Sequence, residues 1–227
     1  MLHLFHGLVG ASEGMDPRLK AHFQSLAHKQ SPELLLVACG DSRFEQVLGA
    51  QPGQVFVVRC VGNIIAPADQ SGHSVGDVSE ASAIEYGLEV LGIRDIAVCG
   101  HSNCGAMAAL LRGRQQLHQS APNLATWLAH AEPSLERLAC SKLSFPAGLA
   151  EADRLSQENV LLQLEHVSSF QPVKRRAAEV RLHALWFDIG QAMMHLYEAD
   201  KARFVPLDEA EVLRLLTPGA DVPPTTR

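Results

Sequence analysis

No apolar run in the 227-residue chain approaches the roughly 18–20 residues needed to cross a bilayer. The opening stretch, MLHLFHGLVGASEG, lacks the basic start and the long apolar segment of a signal peptide. Basic charge is also short. Nineteen Lys and Arg stand against 25 Asp and Glu, for a net charge of −6 and a pI near 6.0. With no basic stripe, a nucleic-acid-binding surface is not expected. The one basic cluster, Lys174-Arg175-Arg176, has Glu179 close behind it and reads as a solvated helix face. Cysteines number five (Cys39, Cys60, Cys99, Cys104, Cys140), an odd count with no CxxC pair, so a disulfide framework is a poor explanation. There is no internal repeat and no low-complexity linker. These absences lead us to expect one domain over residues 1–227, in a cytoplasmic protein with reduced thiols and no membrane or nucleic-acid partner.

What is present alternates. Asp16 is placed to cap a helix with Pro17 at its first position, running to about Lys29. The apolar runs ELLLVAC, PGQVFVVRC and IRDIAVCG have strand length and the composition of strands covered on both faces. Between and after them, DVSEASAIEYGLEVLG and CGAMAALLRG have helical patterns. Ile84, Leu88 and Leu91 share a face of the first, and Gly92 is its stop signal. This order predicts an α/β fold, a mainly parallel β-sheet flanked by helices with right-handed crossovers. Further helices are expected in APNLATWLAHAEPSLERLA and QENVLLQLEHV. AEVRLHALWFDI and QAMMHLYEAD make an antiparallel pair at the edge, and an unstructured tail is expected from Thr217.

In open parallel sheets ligands bind beyond the carboxyl ends of the strands. VACGDSR and AVCGHSNC both lie at such ends. Cys39 therefore has three readings: a core cysteine beside an ordinary Asp41–Arg43 ion pair, a nucleophile, or a metal ligand. The nucleophile fares worst, because a carboxylate two residues away repels both a thiolate and a phosphate. Cys39 with the H-x-x-C of His101 and Cys104 gives two thiolates and an imidazole, a donor set that suits zinc. Catalytic zinc uses three protein ligands and leaves one position for water, whose pKa falls from about 15.7 to about 7. Spacing alone leaves buried cysteines acting as small hydrophobes as a competing reading.

ACGDSR followed some sixty residues later by CGHSNCGAM resembles the β-class carbonic anhydrases, whose pattern is C-x-D-x-R and then H-x-x-C. The likeness extends through PGQVFVVR, VGN, SAIEYGLEVLGI and ENVLLQL, and faintly into LWFDI and RFVPL. It covers roughly Pro17 to Leu207. It implies one zinc ion per subunit on Cys39, His101 and Cys104, and reversible hydration of carbon dioxide to bicarbonate and a proton. Asp41, held by Arg43, would orient the zinc-bound hydroxide. Gln30 would hydrogen-bond bicarbonate, and Phe56, Val61 and Tyr86 would form the apolar wall, with plain core packing the competing reading for these three. The resemblance also implies an N-terminal helical arm over about residues 1–30 and an obligate dimer or larger homo-oligomer, with Gln30, Phe56 and Tyr86 serving the neighbouring subunit's site.

Some family members are shut by bicarbonate and carry tryptophan three residues before the first cysteine; here that residue is Leu36, which implies the permanently open type. The chain also departs from the pattern. Gly40 replaces a serine, Cys60 an asparagine, the segment from Arg43 to Pro52 is short, and ADQSGHSVGDVS forms a long irregular loop. His73 in that loop reads as solvated, with proton shuttling the minor alternative. Cys99 is expected in the sheet and Cys140 on a helix. Two other functions compete: the same zinc site hydrolysing carbon disulfide or carbonyl sulfide, and a catalytically silent scaffold in a carbon-fixing assembly.

Overall fold

The computed structural model describes residues 1–44 and 48–216. The tail expected from Thr217, and part of the short segment after Arg43, lie outside them. Helices α1 (Leu2–Glu13) and α2 (Pro17–Leu26) come first. Asp16 caps α2 as its sequence predicts, its carboxylate accepting from the Arg18 amide at 2.7 Å. The helix ends at Leu26, three residues before the expected Lys29. None of its residues is buried, so no packing holds another turn.

Strands β1 (Leu34–Cys39) and β2 (Val55–Cys60) follow. Helix α3 (Ser79–Glu85) continues through a wider turn over Tyr86–Val90, and Gly92, at φ +72°, ends it as expected. Then come β3 (Asp95–His101) and α4 (Gly105–Arg112), followed by α5 (Pro122–Leu128) and α6 (Pro133–Ala139), which divide the expected helical region at a 3₁₀ turn. The long α7 (Glu151–Ser169) and short α8 (Gln171–Arg175) lead to β4 (Arg181–Asp188), β5 (Met193–Glu198) and β6 (Arg203–Pro206). Helix α9 (Glu209–Leu216), not expected from the sequence pattern, is capped by Asp208, which accepts from the Glu211 amide at 2.9 Å.

Among the described residues the strands form one six-stranded sheet in the order β2-β1-β3-β4-β5-β6. The first four are mutually parallel, while β5 and β6 run antiparallel at one edge. Strand β1 is covered on both faces. Leu35 and Val37 pack with Ile84, Leu88 and Val160, whereas Leu36 and Ala38 pack with Phe44, Cys99 and Phe187. Strand β2 differs from the expectation. Its apolar run has the composition of a strand covered on both faces, yet it is an edge strand, with Val57 43% exposed. The chain alone does not supply the cover that this composition suits. Among the described residues no helix is long and apolar enough to cross a membrane.

Candidate metal centre

The register of the parallel strands brings the predicted residues together. Cys39 ends β1, His101 ends the neighbouring β3, and Cys104 stands immediately before α4. The ligating atoms of the three side chains all lie within 4.8 Å of one another, and the two sulfurs are 4.0 Å apart. Sulfurs on a tetrahedral zinc with bonds of about 2.3 Å would stand about 3.8 Å apart. All three residues are buried.

The histidine is the most informative of the three. Its Nδ1 is 2.8 Å from the Ser102 carbonyl oxygen, an arrangement in which the ring donates from Nδ1 and leaves Nε2 as an acceptor. That Nε2 is buried and has no hydrogen-bond partner among the described residues. A buried acceptor left unpaired costs free energy of about 1–3 kcal/mol, and a metal ion between it and the two sulfurs would satisfy it. The donor set, spacing and orphaned nitrogen therefore fit a metal.

Electrostatics divide the two thiols. Cys39 is lowered to about 4, chiefly by its contact with the Cys104 thiol, with burial opposing. The backbone amides of Asp41 and Gly62 help, donating to Sγ at 3.4 and 3.3 Å. Cys104 is pushed far up by sharing its proton with Cys39 and by burial. Without metal, then, Cys39 is the thiolate and Cys104 holds the proton. Zinc loading of the stripped protein near pH 8 should release about two protons per chain, one from the thiol pair and one from water that the ion acidifies to about pKa 7. A dye in weakly buffered solution reads this directly. Release of about three would mean that Cys39 also starts protonated.

Arg43 Nη2 donates to Asp41 Oδ1 at 2.7 Å, and both side chains are about half exposed. The other carboxylate oxygen, Oδ2, faces the start of α4, 3.8 Å from where a Cβ on Gly105 would lie. Asp41 is outside the cluster of ligating atoms. Arg43 takes a left-handed backbone, φ +55°, which turns the chain back so that the guanidinium reaches the carboxylate two residues earlier.

The pocket residues divide. Val61, 48% exposed, adjoins Gly62 at the metal cluster, and its carbonyl accepts from Trp127 Nε1 at 2.9 Å. Phe56 is opposite Leu35 in the sheet, whereas Cys60 is opposite Cys39. Four residues at about 3.3 Å each put Phe56 about 13 Å along the strand from the cluster. Tyr86, 45% exposed, keeps company with Phe56 at a ring separation of 5.8 Å. Gln30, exposed and four residues before β1, belongs to that same far end. One chain therefore gathers Cys39, Asp41, Arg43, Val61, His101 and Cys104, but not Gln30, Phe56 or Tyr86.

Cys60 is directly opposite Cys39, yet its thiol donates to the Ile64 carbonyl at 3.1 Å, and burial pushes its pKa up. It is a protonated neighbour outside the ligating set. Cys99 is buried in the sheet as expected, and Cys140 sits exposed at the end of α6. Two residues the sequence reading passed over matter here: Gly62, through its amide, and Arg59, whose Nη1 donates to the Cys39 carbonyl at 2.7 Å. Arg59, two residues before Val61, is plain in the sequence, but nothing in the pattern tells where its side chain goes.

Comparison with known proteins agrees with this site. The family model described as carbonic anhydrase matches residues 34–194. Carbonic anhydrase of Pseudomonas aeruginosa is 34% identical over 94% of this chain and 95% of its own. Beta carbonic anhydrase 1 of Caenorhabditis elegans is 31% identical over 95% of this chain and 92% of its own. Among solved structures, the β-carbonic anhydrase CcaA superposes with a TM-score of 0.81 at 30% identity, covering 92% of each chain. A tetrameric β-carbonic anhydrase of Sordaria macrospora superposes with a TM-score of 0.69 at 28% identity, over 87% of this chain and 98% of its own. The chain belongs to the β-carbonic anhydrase family.

Proposed function

We propose that the protein is a zinc-dependent carbonic anhydrase that interconverts carbon dioxide and bicarbonate, with one zinc ion per chain held by Cys39, His101 and Cys104. The orphaned Nε2 of His101 carries this reading, since it is buried, belongs to a residue clustered with two sulfurs, and has no hydrogen-bond partner among the described residues. Zinc bound there would supply a water acidified to about pKa 7 as the nucleophile at neutral pH. The chain's own residues do the rest. Asp41 accepts the hydrogen of the attacking water and so turns a lone pair toward carbon. Arg43 restrains Asp41 away from the ligating cluster, which keeps the site of the open type, in keeping with Leu36 at the diagnostic position. The proton passes to buffer. All five thiols are free, which fits a reducing compartment, the cytoplasm.

The working unit in this reading is at least a dimer. Phe56, Tyr86 and Gln30 line the neighbour's metal site, and the open edge of β2 is the face that the second copy covers. Family membership and the exposed apolar Val57, Val61 and Tyr86 support it. Val57→Asp is expected to yield single chains by light scattering with hydration activity reduced at least about tenfold, because a charge at a buried contact without a partner is costly. An active monomer would place the whole pocket within one chain.

Stopped-flow hydration of carbon dioxide by zinc-loaded and chelator-stripped protein, run beside sulfide release from carbon disulfide and carbonyl sulfide, tests the activity. Hydration that depends on metal, with no sulfide release, is the expected outcome. Sulfide release without hydration would move the site to the other substrates, and neither reaction would make the protein a silent relative.

A further inference from the structure

Helix α7 faces the metal centre with an unusual side. Asp153, Ser156, Asn159 and Gln163 follow one another at spacings of three, three and four and are all buried. Such spacing puts them on one face of the helix. A helix of a packed core normally turns apolar residues inward, and buried polar ones cost stability unless each finds a partner. Here each is bonded to backbone at or beyond the carboxyl ends of β2 and β3. Asp153 accepts from the Asn103 amide at 2.7 Å, and Ser156 donates to the His101 carbonyl at 2.9 Å. Asn159 donates to the Gly62 carbonyl at 3.0 Å, and Gln163 accepts from the Ile65 amide at 2.8 Å. Gln163 also donates to Asn159 Oδ1 at 2.9 Å, which fixes the orientation of the Asn159 amide.

Two of these bonds end next to metal ligands. Gly62, held by Asn159 at its carbonyl, donates its own amide to Cys39 Sγ at 3.3 Å. Gly62 and Asn63 both have left-handed backbones, φ +72° and +47°, a geometry that the turn needs and that requires an anchor. On the other side, Ser156 fixes the His101 backbone while accepting from Trp186 Nε1 at 3.2 Å. The approach is close enough that a Cβ on Gly100 would lie 2.7 Å from Val160 and 3.0 Å from Ser156 Oγ, so the absence of a side chain there lets α7 reach β3.

From this we infer that Asn159 and Ser156 are positioning residues: α7 clamps the turn over Cys39 and the end of β3 together, and so sets both the spacing of the ligands and the amide donation to the Cys39 thiolate. The inference rests on the metal-site reading above. Its physical content is specific. An amide hydrogen bond to a thiolate draws charge from sulfur and weakens its donation to a metal, so removing it should make the sulfur a stronger donor. Asn159 therefore acts through the thiolate and Ser156 through the imidazole.

The test uses the cobalt(II)-substituted full-length protein, its thiolate-to-cobalt absorption, and zinc affinity by chelator competition. Asn159→Ala should move the absorption to longer wavelength, as the sulfur becomes the stronger donor, while the lost ligand spacing outweighs that gain and weakens zinc binding about 10- to 100-fold, the range for residues that orient ligands. Ser156→Ala, a small change expected to fold, should weaken zinc binding with the absorption unmoved. Ser134→Ala, which removes a buried hydroxyl bonded to the Ala131 carbonyl, controls for general loosening. It should lower the melting temperature and change neither metal readout. Wild-type absorption and zinc affinity in both α7 variants would overturn the inference, as would equal changes in Ser134→Ala. A wild type with the thiolate absorption but no hydration activity would sink the enzymatic reading and leave the clamp standing.

Discussion

His101→Ala protein is expected to retain less than about a tenth of the wild-type zinc after dialysis against a weak chelator, and no hydration above buffer, because two thiols and solvent do not make a zinc site. His101 closes the central strand β3, and its ring supplies the one nitrogen among three ligands. Removing the ring also opens a cavity, at a cost of a few kcal/mol by analogy with other large-to-small core changes. Cys104→Ser therefore serves as the companion. It keeps the volume and the start of α4 while replacing a sulfur with a harder, weakly acidic hydroxyl, and it should lose metal to a similar degree. Zinc retained at one per chain in both variants would mean that the metal sits elsewhere.

Asp41→Asn should behave in the opposite manner: zinc retained in full, hydration lowered about 10- to 100-fold, the range for groups that orient a metal site's reactants. The asparagine fills the same space and can still accept a hydrogen bond, but it brings no charge and tolerates donor and acceptor ends in either orientation. Stability should change by less than about 0.5 kcal/mol, since the Asp41–Arg43 pair is solvent-exposed in the chain and such pairs contribute little. Loss of zinc in this variant would make Asp41 a ligand and would contradict the open site. Undiminished activity would remove its orienting role.

Much of this was legible in the sequence, for identifiable reasons. The runs before Cys39 and His101 are short, apolar and separated by a helical pattern, so a parallel sheet with both strand ends on one side follows from connectivity. The proposed metal ligands stand at those ends, and the family pattern ties them to Asp41 and Arg43. Less legible was everything that depends on backbone atoms. No residue pattern shows that the Gly62 amide points at Cys39, or that Asn159, 97 positions later in the chain, holds Gly62 in place. The polar residues of α7 were visible at spacings of three and four. Their signal, a helix whose inward face is polar, makes sense only once the carbonyls and amides opposite are known. Strand β2 shows the converse limit. Its apolar composition suits burial on both faces, while the single chain leaves Val57 open. The distance of Phe56 from Cys39 follows from register, which a list of motifs does not contain.

Titration of zinc into chelator-stripped protein, with the carbon dioxide hydration rate followed at each addition, decides whether a single bound ion carries the activity. The rate is expected to rise in proportion to bound zinc and level off at about one ion per chain, the capacity of one site with three protein ligands. A stripped protein that is already fully active, or one that fills with a single zinc per chain and stays at the buffer rate, would contradict it.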